Sequence, residues 1–260
     1  GGAGARSAFL TKSLVKSTRD IRVDHIVLLD NDQQKLKTYG EISRELSRRL
    51  DPDLTFEVTS DARAALTGVD YIITTIRAGG DAGRLFDEQT CLAHGVLGQE
   101  TTGAGGFAMA IRSVPTLVYY CTLAREVANP GHLIFNFTNP SGIITQALRS
   151  KGFDNVYGIC DAPSGFIKQL EEILEIPYGT LDIECYGLNH LSWFRNAKVN
   201  GRDVQRELLD NPRTYEHSEM RLFTREMARI SGDCMLNEYL YFYYRRVKSL
   251  SMIQKADHPR

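Results

Sequence analysis

Short apolar runs alternate with longer amphipathic stretches over the first 160 residues. Residues 25–30 read HIVLLD, 55–61 TFEVTSD, 69–76 VDYIITTI, 132–138 HLIFNFT and 155–160 NVYGIC. Runs of this length, apolar and bounded by turn residues, predict buried strands. Between them apolar residues recur at helical spacing. Phe9, Leu10, Leu14 and Val15 mark one helix within residues 1–19, fed by a glycine turn. Leu36, Tyr39, Ile42, Leu46 and Leu50 mark a second, and a long helical stretch covers roughly residues 107–128. Strands alternating with helices predict an α/β fold with a parallel, doubly wound sheet. Such sheets bind ligands beyond the carboxyl ends of their strands. Those ends carry Asp30, Arg77 with Gly79 and Gly80, Asn136 to Asn139, and Cys160 with Asp161. After about residue 180 the alternation loosens into one short strand, LDIECYG, then GLNHLSWF and helices. This stretch predicts a second, α+β region.

Composition narrows the function. The 260 residues are 42% hydrophobic and 24% charged, enough for a sizeable core. A formal net charge of -1 with scattered basic residues speaks against a nucleic-acid partner. There is no run of 18 apolar residues, so no membrane association is expected, and no signal-peptide pattern is visible. The five cysteines are odd in number and widely spaced. They predict no disulfide framework and a reducing, cytoplasmic setting, with most of them acting as small buried hydrophobes. GGAGAR opens the chain without a preceding strand and KADHPR closes it, so a longer parent chain is expected.

Several stretches carry candidate chemistry. GGAGAR holds a G-x-G at Gly2 and Gly4 before a helix, and the next strand ends on Asp30. Glycines let a backbone approach a pyrophosphate, the helix N-terminus attracts it, and an acid at that remove accepts from ribose hydroxyls. An ordinary glycine turn is the alternative. GQETTGAGGFAMAIR, 98–112, is either a loop that closes over a ligand or a plain surface loop. In FNFTNPSG, Asn136, Thr138 and Asn139 suit ribose or sugar hydroxyls, or simply cap a strand end. Cys160 and His190, thirty positions apart, have the donor softness for a transition metal. From spacing alone they equally read as a buried thiol and a satisfied histidine. NEYLYFYYRR, 237–246, is rich in tyrosine, and a tyrosine beside a cation can act as a general base. The sequence does not choose among Tyr239, Tyr241, Tyr243 and Tyr244.

Taken together, GGAGAR, LLDND, IRAGGDAGRLFDE, GQETTGAGGFAMAIRSVP, NFTNPSG, GICDAP, GLNHLSW and NEYLYFYY resemble glycoside hydrolase family 4, the NAD- and metal-dependent glycosidases. The run is most similar to the 6-phospho-β-glucosidase branch. The resemblance implies a Rossmann-like NAD-binding domain over 1–160, its first strand missing, as in lactate and malate dehydrogenases. It implies part of a substrate- and metal-binding α+β domain over 161–260. Gly1, Gly2, Gly4, Asp30 and Asn136 match NAD-binding positions. Cys160 and His190 match metal ligands, usually for Mn²⁺. Arg84 and Asn139 match substrate contacts, Tyr239 the catalytic tyrosine and Asp161 an acid. Asparagine is expected after the cysteine in the β-branch, whereas aspartate there is typical of the 6-phospho-α-glucosidases. The proline-containing approach to the tyrosine is replaced by CMLNEYL.

The implied reaction is cleavage of a phosphorylated disaccharide or glucoside by NAD-dependent oxidation at C3, metal-assisted deprotonation at C2, elimination and water addition. It needs no pair of carboxylates flanking the scissile bond, and the sequence offers none. It requires the nicotinamide and metal sites to adjoin. A homodimer or homotetramer is expected. The competing readings are an NAD-dependent 2-hydroxy acid dehydrogenase of the lactate/malate type, which needs no metal, and a non-enzymatic NAD-sensing module.

Overall fold

The computed structural model describes residues 1–17, 21 and 23–255. Thr18 and Arg19, at the end of the first expected helix, and residues 256–260 of the KADHPR stretch lie outside the described residues. The chain divides into two compact units. The first holds Gly1–Gly79, Ile111–Thr138 and Ile143–Gly158; the second holds Gly80–Ala110, Asn139–Gly142 and Ile159–Arg260.

In the first unit all five expected strands form. β1 (His25–Leu29) pairs in parallel with β2 (Thr55–Thr59), from His25 opposite Thr55 to Leu29 opposite Thr59. β3 (Tyr71–Thr74), β4 (Leu133–Asn136) and β5 (Val156–Gly158) form a second parallel set in that order. Residues 1 and 2 reach the carboxyl ends of both sets. The Gly2 N–H donates to Leu29 O at 2.8 Å, and Thr75 Oγ1 donates to Gly1 O at 2.9 Å. Parallel strands joined through helices make the parallel arrangement that the alternation predicts and the Rossmann-like one that the resemblance implies. Its core contains Ile134, Ile144, Leu148 and Val156 with Leu117, Cys121, Leu123 and Ala124 of the helix Gly103–Val127. A smaller cluster joins Ile26 and Leu28 to Val15 and Leu54. Each fully buried Leu, Ile or Val contributes about 1.5–3 kcal/mol. Gly103–Val127 is long and apolar enough, by length and composition, to cross a membrane.

The first two helices bury only part of the expected stripe: Val15 and Leu36 are buried and Leu14 packs against the core, but other expected positions face out. Phe9 is 72% exposed and Ile42 52%, while Ser7, Thr11 and Val15 face inward from Ser7–Lys16. Gly40, Ser43 and Ser47 are buried on the partner run, Leu36–Gly40 continuing into Glu41–Leu50. These two helices pack on each other, and small side chains at the seam let their backbones approach. A count of apolar positions cannot see a seam built from serine, threonine and glycine.

The second unit centres on an antiparallel sheet. β6 (Leu181–Leu188) and β7 (Leu191–Val199) form a hairpin, with β8 (Arg202–Asp203) and β9 (Met235–Leu236) both paired to β7. Phe194, Met235 and Leu236 of the sheet pack with Phe166, Leu170, Leu208 and Met220 in one core, all of them fully buried. The expected lone strand LDIECYG is thus the first arm of a hairpin, and GLNHLSWF supplies its turn and second arm. No Asn-Gly or Asp-Gly pair announces this turn. Its conformation comes from Gly187, at φ +121°, where a Cβ would lie 2.4 Å from Leu191 O.

Candidate active site

The hairpin tip is the two-residue loop Asn189-His190. His190 takes φ +59°, a left-handed conformation uncommon outside glycine and costing about 1–2 kcal/mol. Ser192 Oγ closes the turn by donating to Leu188 O at 2.9 Å. The strained residue is also the one with metal-binding chemistry. Its Nε2 lies 3.4 Å from the Sγ of Cys160, two residues beyond the end of β5. The sequence left this pair open between a metal site and two unrelated buried groups; the fold brings them into contact.

Burial pushes the Cys160 thiol up, but hydrogen bonds with His190, the Ala162 N–H and the Asn189 side chain outweigh it, so its pKa falls below the ordinary value. Burial pushes His190 down, and its bond to Cys160 more than reverses that. A thiol primed toward thiolate suits a metal ligand. An ion bound by sulfur at about 2.3 Å and imidazole nitrogen at about 2.1 Å holds its donors about 3.1–3.6 Å apart for bond angles of roughly 90–110°. The observed 3.4 Å fits. Among the described residues no group of three or more His, Cys, Asp or Glu converges for a metal. A two-ligand site leaves coordination positions for water and substrate, as a catalytic ion requires. Beside the pair, Asn189 Oδ1 is buried without a hydrogen-bond partner.

Tyr239 completes the cluster. Its ring stacks on the His190 ring, with centroids 4.6 Å apart and planes inclined by 21°. The structure therefore separates the four tyrosines. Tyr241 is buried in the core against Phe223, and Tyr243 and Tyr244 are 52% and 43% exposed. Burial, with the charges of Glu238 and Glu100 near it, pushes the Tyr239 phenol up to about 12. A divalent charge beside His190 would act in the opposite direction. The segment carrying Tyr239 is held from beneath. Glu219 Oε2 accepts from Asn237 Nδ2 at 2.8 Å and from the Glu238 N–H at 3.1 Å, and Asn237 Oδ1 accepts from the Tyr239 N–H at 3.2 Å. Burial lifts the Glu219 pKa to about 7.

Asp161 follows Cys160 with an exposed carboxyl, its Oδ1 3.9 Å from Sγ. Asn139 is half-buried. The Arg84 guanidinium is paired with Glu88 at 2.8 Å and Glu100 at 3.5 Å. Sequence reasoning quoted the loop containing Gln99 and the tip containing Asn189 without assigning either residue, and it passed over Glu219. Neither amides nor a lone glutamate have a spacing that marks them in advance.

The nucleotide candidates lie in the first unit. A Cβ on Gly1 would stand 2.2 Å from Thr75 O, and one on Gly2 would stand 2.7 Å from the Leu29 nitrogen, so no side chain fits at either position. At Gly4 the nearest atom is 3.7 Å away, and space does not impose glycine. Asp30 accepts from the Ala3 N–H at 3.1 Å and the Asp32 N–H at 3.0 Å, leaving lone pairs for hydroxyls. The close glycine approach and this oriented carboxylate fit an adenosine ribose and pyrophosphate. Asn136, expected among the cofactor contacts, has no exposed surface. Its amide bonds Thr74, Thr138 and Thr145, so it builds the end of β4 rather than facing a ligand.

Comparison with known proteins matches residues 1–176 to the Family 4 glycosyl hydrolase model and residues 185–259 to the Family 4 glycosyl hydrolase C-terminal domain. A 6-phospho-beta-glucosidase of Thermotoga maritima is 35% identical over 213 residues, covering 81% of this chain and 50% of the relative. A phospho-alpha-glucosidase of Clostridium acetobutylicum is 32% identical over 238 residues, covering 84% and 53%. A solved structure of the Thermotoga maritima 6-phospho-beta-glucosidase with manganese, NAD+ and glucose-6-phosphate superposes with a TM-score of 0.88 at 30% identity, covering 99% of this chain and 61% of that one. The chain spans about half the length of the curated relatives it matches.

Proposed function

Because the chain belongs to family 4 of the glycosyl hydrolases, we propose that the whole protein cleaves 6-phospho-glucosides with NAD and a divalent metal such as Mn²⁺. The observation that carries this reading is Cys160 Sγ 3.4 Å from His190 Nε2 with the Tyr239 ring stacked on that imidazole. When bound, the nicotinamide supplies reversible hydride acceptance at C3 and the ion supplies Lewis-acid polarisation of neighbouring sugar oxygens. Cys160 and His190 hold the ion. Gly1, Gly2, Gly4 and Asp30 hold the dinucleotide, and Asn136 fixes the strand end beside them. Tyr239 Oη takes the C2 proton. Asp161 gives a proton to the leaving oxygen at C1, and Arg84 and Asn139 contact the sugar phosphate substrate.

The β-anomer is favoured by the 35% identity to a 6-phospho-beta-glucosidase, against 32% to the α-specific relative. Aspartate at position 161 weighs the other way, and assay of both anomers decides. The five cysteines, all unpaired, suit a cytoplasmic setting, and a homodimer or homotetramer acting without nucleic acid or membrane completes the reading. The test is hydrolysis of chromogenic 6-phospho-α- and β-glucosides. Cleavage should require both NAD⁺ and Mn²⁺ and leave no net NADH. NADH build-up on a 2-hydroxy acid, with no glycoside cleaved, would establish a dehydrogenase instead.

A further inference from the structure

The loop GQETTGAGG converges on one side chain. Gln99 is 9% exposed, and its Oε1 accepts from the backbone N–H of Thr101 and from that of Thr102, the latter at 3.0 Å. Two N–H donors at one end of an amide require oxygen there, so the amide has a single workable orientation. Its other end, Nε2, then lies 2.9 Å from Tyr239 Oη and donates to it. The phenol oxygen is the acceptor in this bond, and its own proton is directed away from Gln99. Glycines press the backbone into place on both sides. A Cβ on Gly98 would stand 2.6 Å from Glu88 O, and one on Gly105 would stand 2.7 Å from Gln99 O.

We propose that Gln99 is a positioning residue for Tyr239: His190 stacking sets the plane of the phenol ring, and the Gln99 N–H sets where its oxygen lies and donates to that oxygen as it takes up the proton. This rests on the role of Tyr239 as base given above. The loop is then neither a lid nor a plain surface connection. Its glycines and the two threonine amides serve to hold one amide in one orientation.

Gln99→Glu tests this in the whole protein. The carboxylate keeps an oxygen for Thr101 and Thr102 but replaces the donor facing Tyr239 by an acceptor, so the phenol must donate. Tyrosines labelled at ¹³Cζ give a signal for Tyr239, identified by its loss in Tyr239→Phe. In the metal-free Gln99→Glu protein that signal should move, and a signal that stays in place overturns the contact. With NAD⁺ and Mn²⁺, kcat should fall on the order of 10²-fold, the scale of a misplaced general base, with KM unchanged. An unchanged kcat in a protein whose parent is active defeats this proposal alone. A parent inactive on every 6-phosphoglucoside defeats the glycosidase reading and this role with it. Manganese affinity measured by EPR should match the parent, and its loss would make Gln99 a structural residue and overturn the proposal.

Discussion

Replacing Glu219 by glutamine should change how the stability of the protein responds to pH. Glu219 is 9% exposed, and its Oε2 already accepts from Asn237 and Glu238. Burial raises its pKa from 4.5 to about 7. An acid whose pKa is raised by folding binds its proton more tightly in the folded chain than in the unfolded one. As pH climbs from 4.5 the unfolded chain ionises first, so stability falls through that window and levels off above about 7. At about 1.4 kcal/mol per pH unit the loss approaches about 3 kcal/mol. Glutamine offers the same two N–H groups an oxygen and never ionises. The stability of Glu219→Gln relative to the parent should therefore rise by up to about 3 kcal/mol between pH 5 and pH 8. Urea unfolding of metal-free protein across that range measures the difference. A flat difference would refute the claim that the carboxyl is held protonated by its surroundings.

Cys160→Ser should weaken Mn²⁺ binding by more than about 100-fold, since even outer partners of a ligand are worth about 10–100-fold; titration calorimetry reads it, and parental affinity would remove Cys160 from the ligand set. Gly187→Ala places a Cβ 2.4 Å from Leu191 O at φ +121°. It should destabilise the hairpin by about 1–3 kcal/mol, and an unchanged thermal midpoint would show that the turn relaxes freely.

The first unit is the more legible half because its strands are short runs rich in apolar and β-branched residues, bounded by turn residues and separated by helical spacing; β1 to β5 each fall inside such a run. The seam between the first two helices escaped notice because it is made of Ser7, Thr11, Ser43 and Ser47, which a hydrophobic count discards. In the second unit β6 was visible, but its hairpin partner was not, since the turn depends on a glycine two residues before the tip and on a histidine with positive φ. Donor chemistry makes Cys160 and His190 candidates and the tyrosine-rich run makes Tyr239 one of four, but only the family resemblance assigns the two ligands and picks that tyrosine. Spacing could not have paired a strand-end thiol with an imidazole thirty positions on, because their approach is a property of the hairpin. Gln99 was hidden for a different reason: its importance lies in the direction of its amide, which only the Thr101 and Thr102 N–H groups reveal.

The two units are braided along the sequence, with residues 80–110 and 139–142 assigned to the second while the stretches around them belong to the first. No single cut in the gene can liberate either as a free-standing module. A nascent chain likewise cannot finish the first unit until residue 158 has been made, by which time parts of the second are already threaded through its sequence. Truncation after residue 158 would keep every segment of the first unit but strand residues 80–110 and 139–142 of the second without the rest of their own unit.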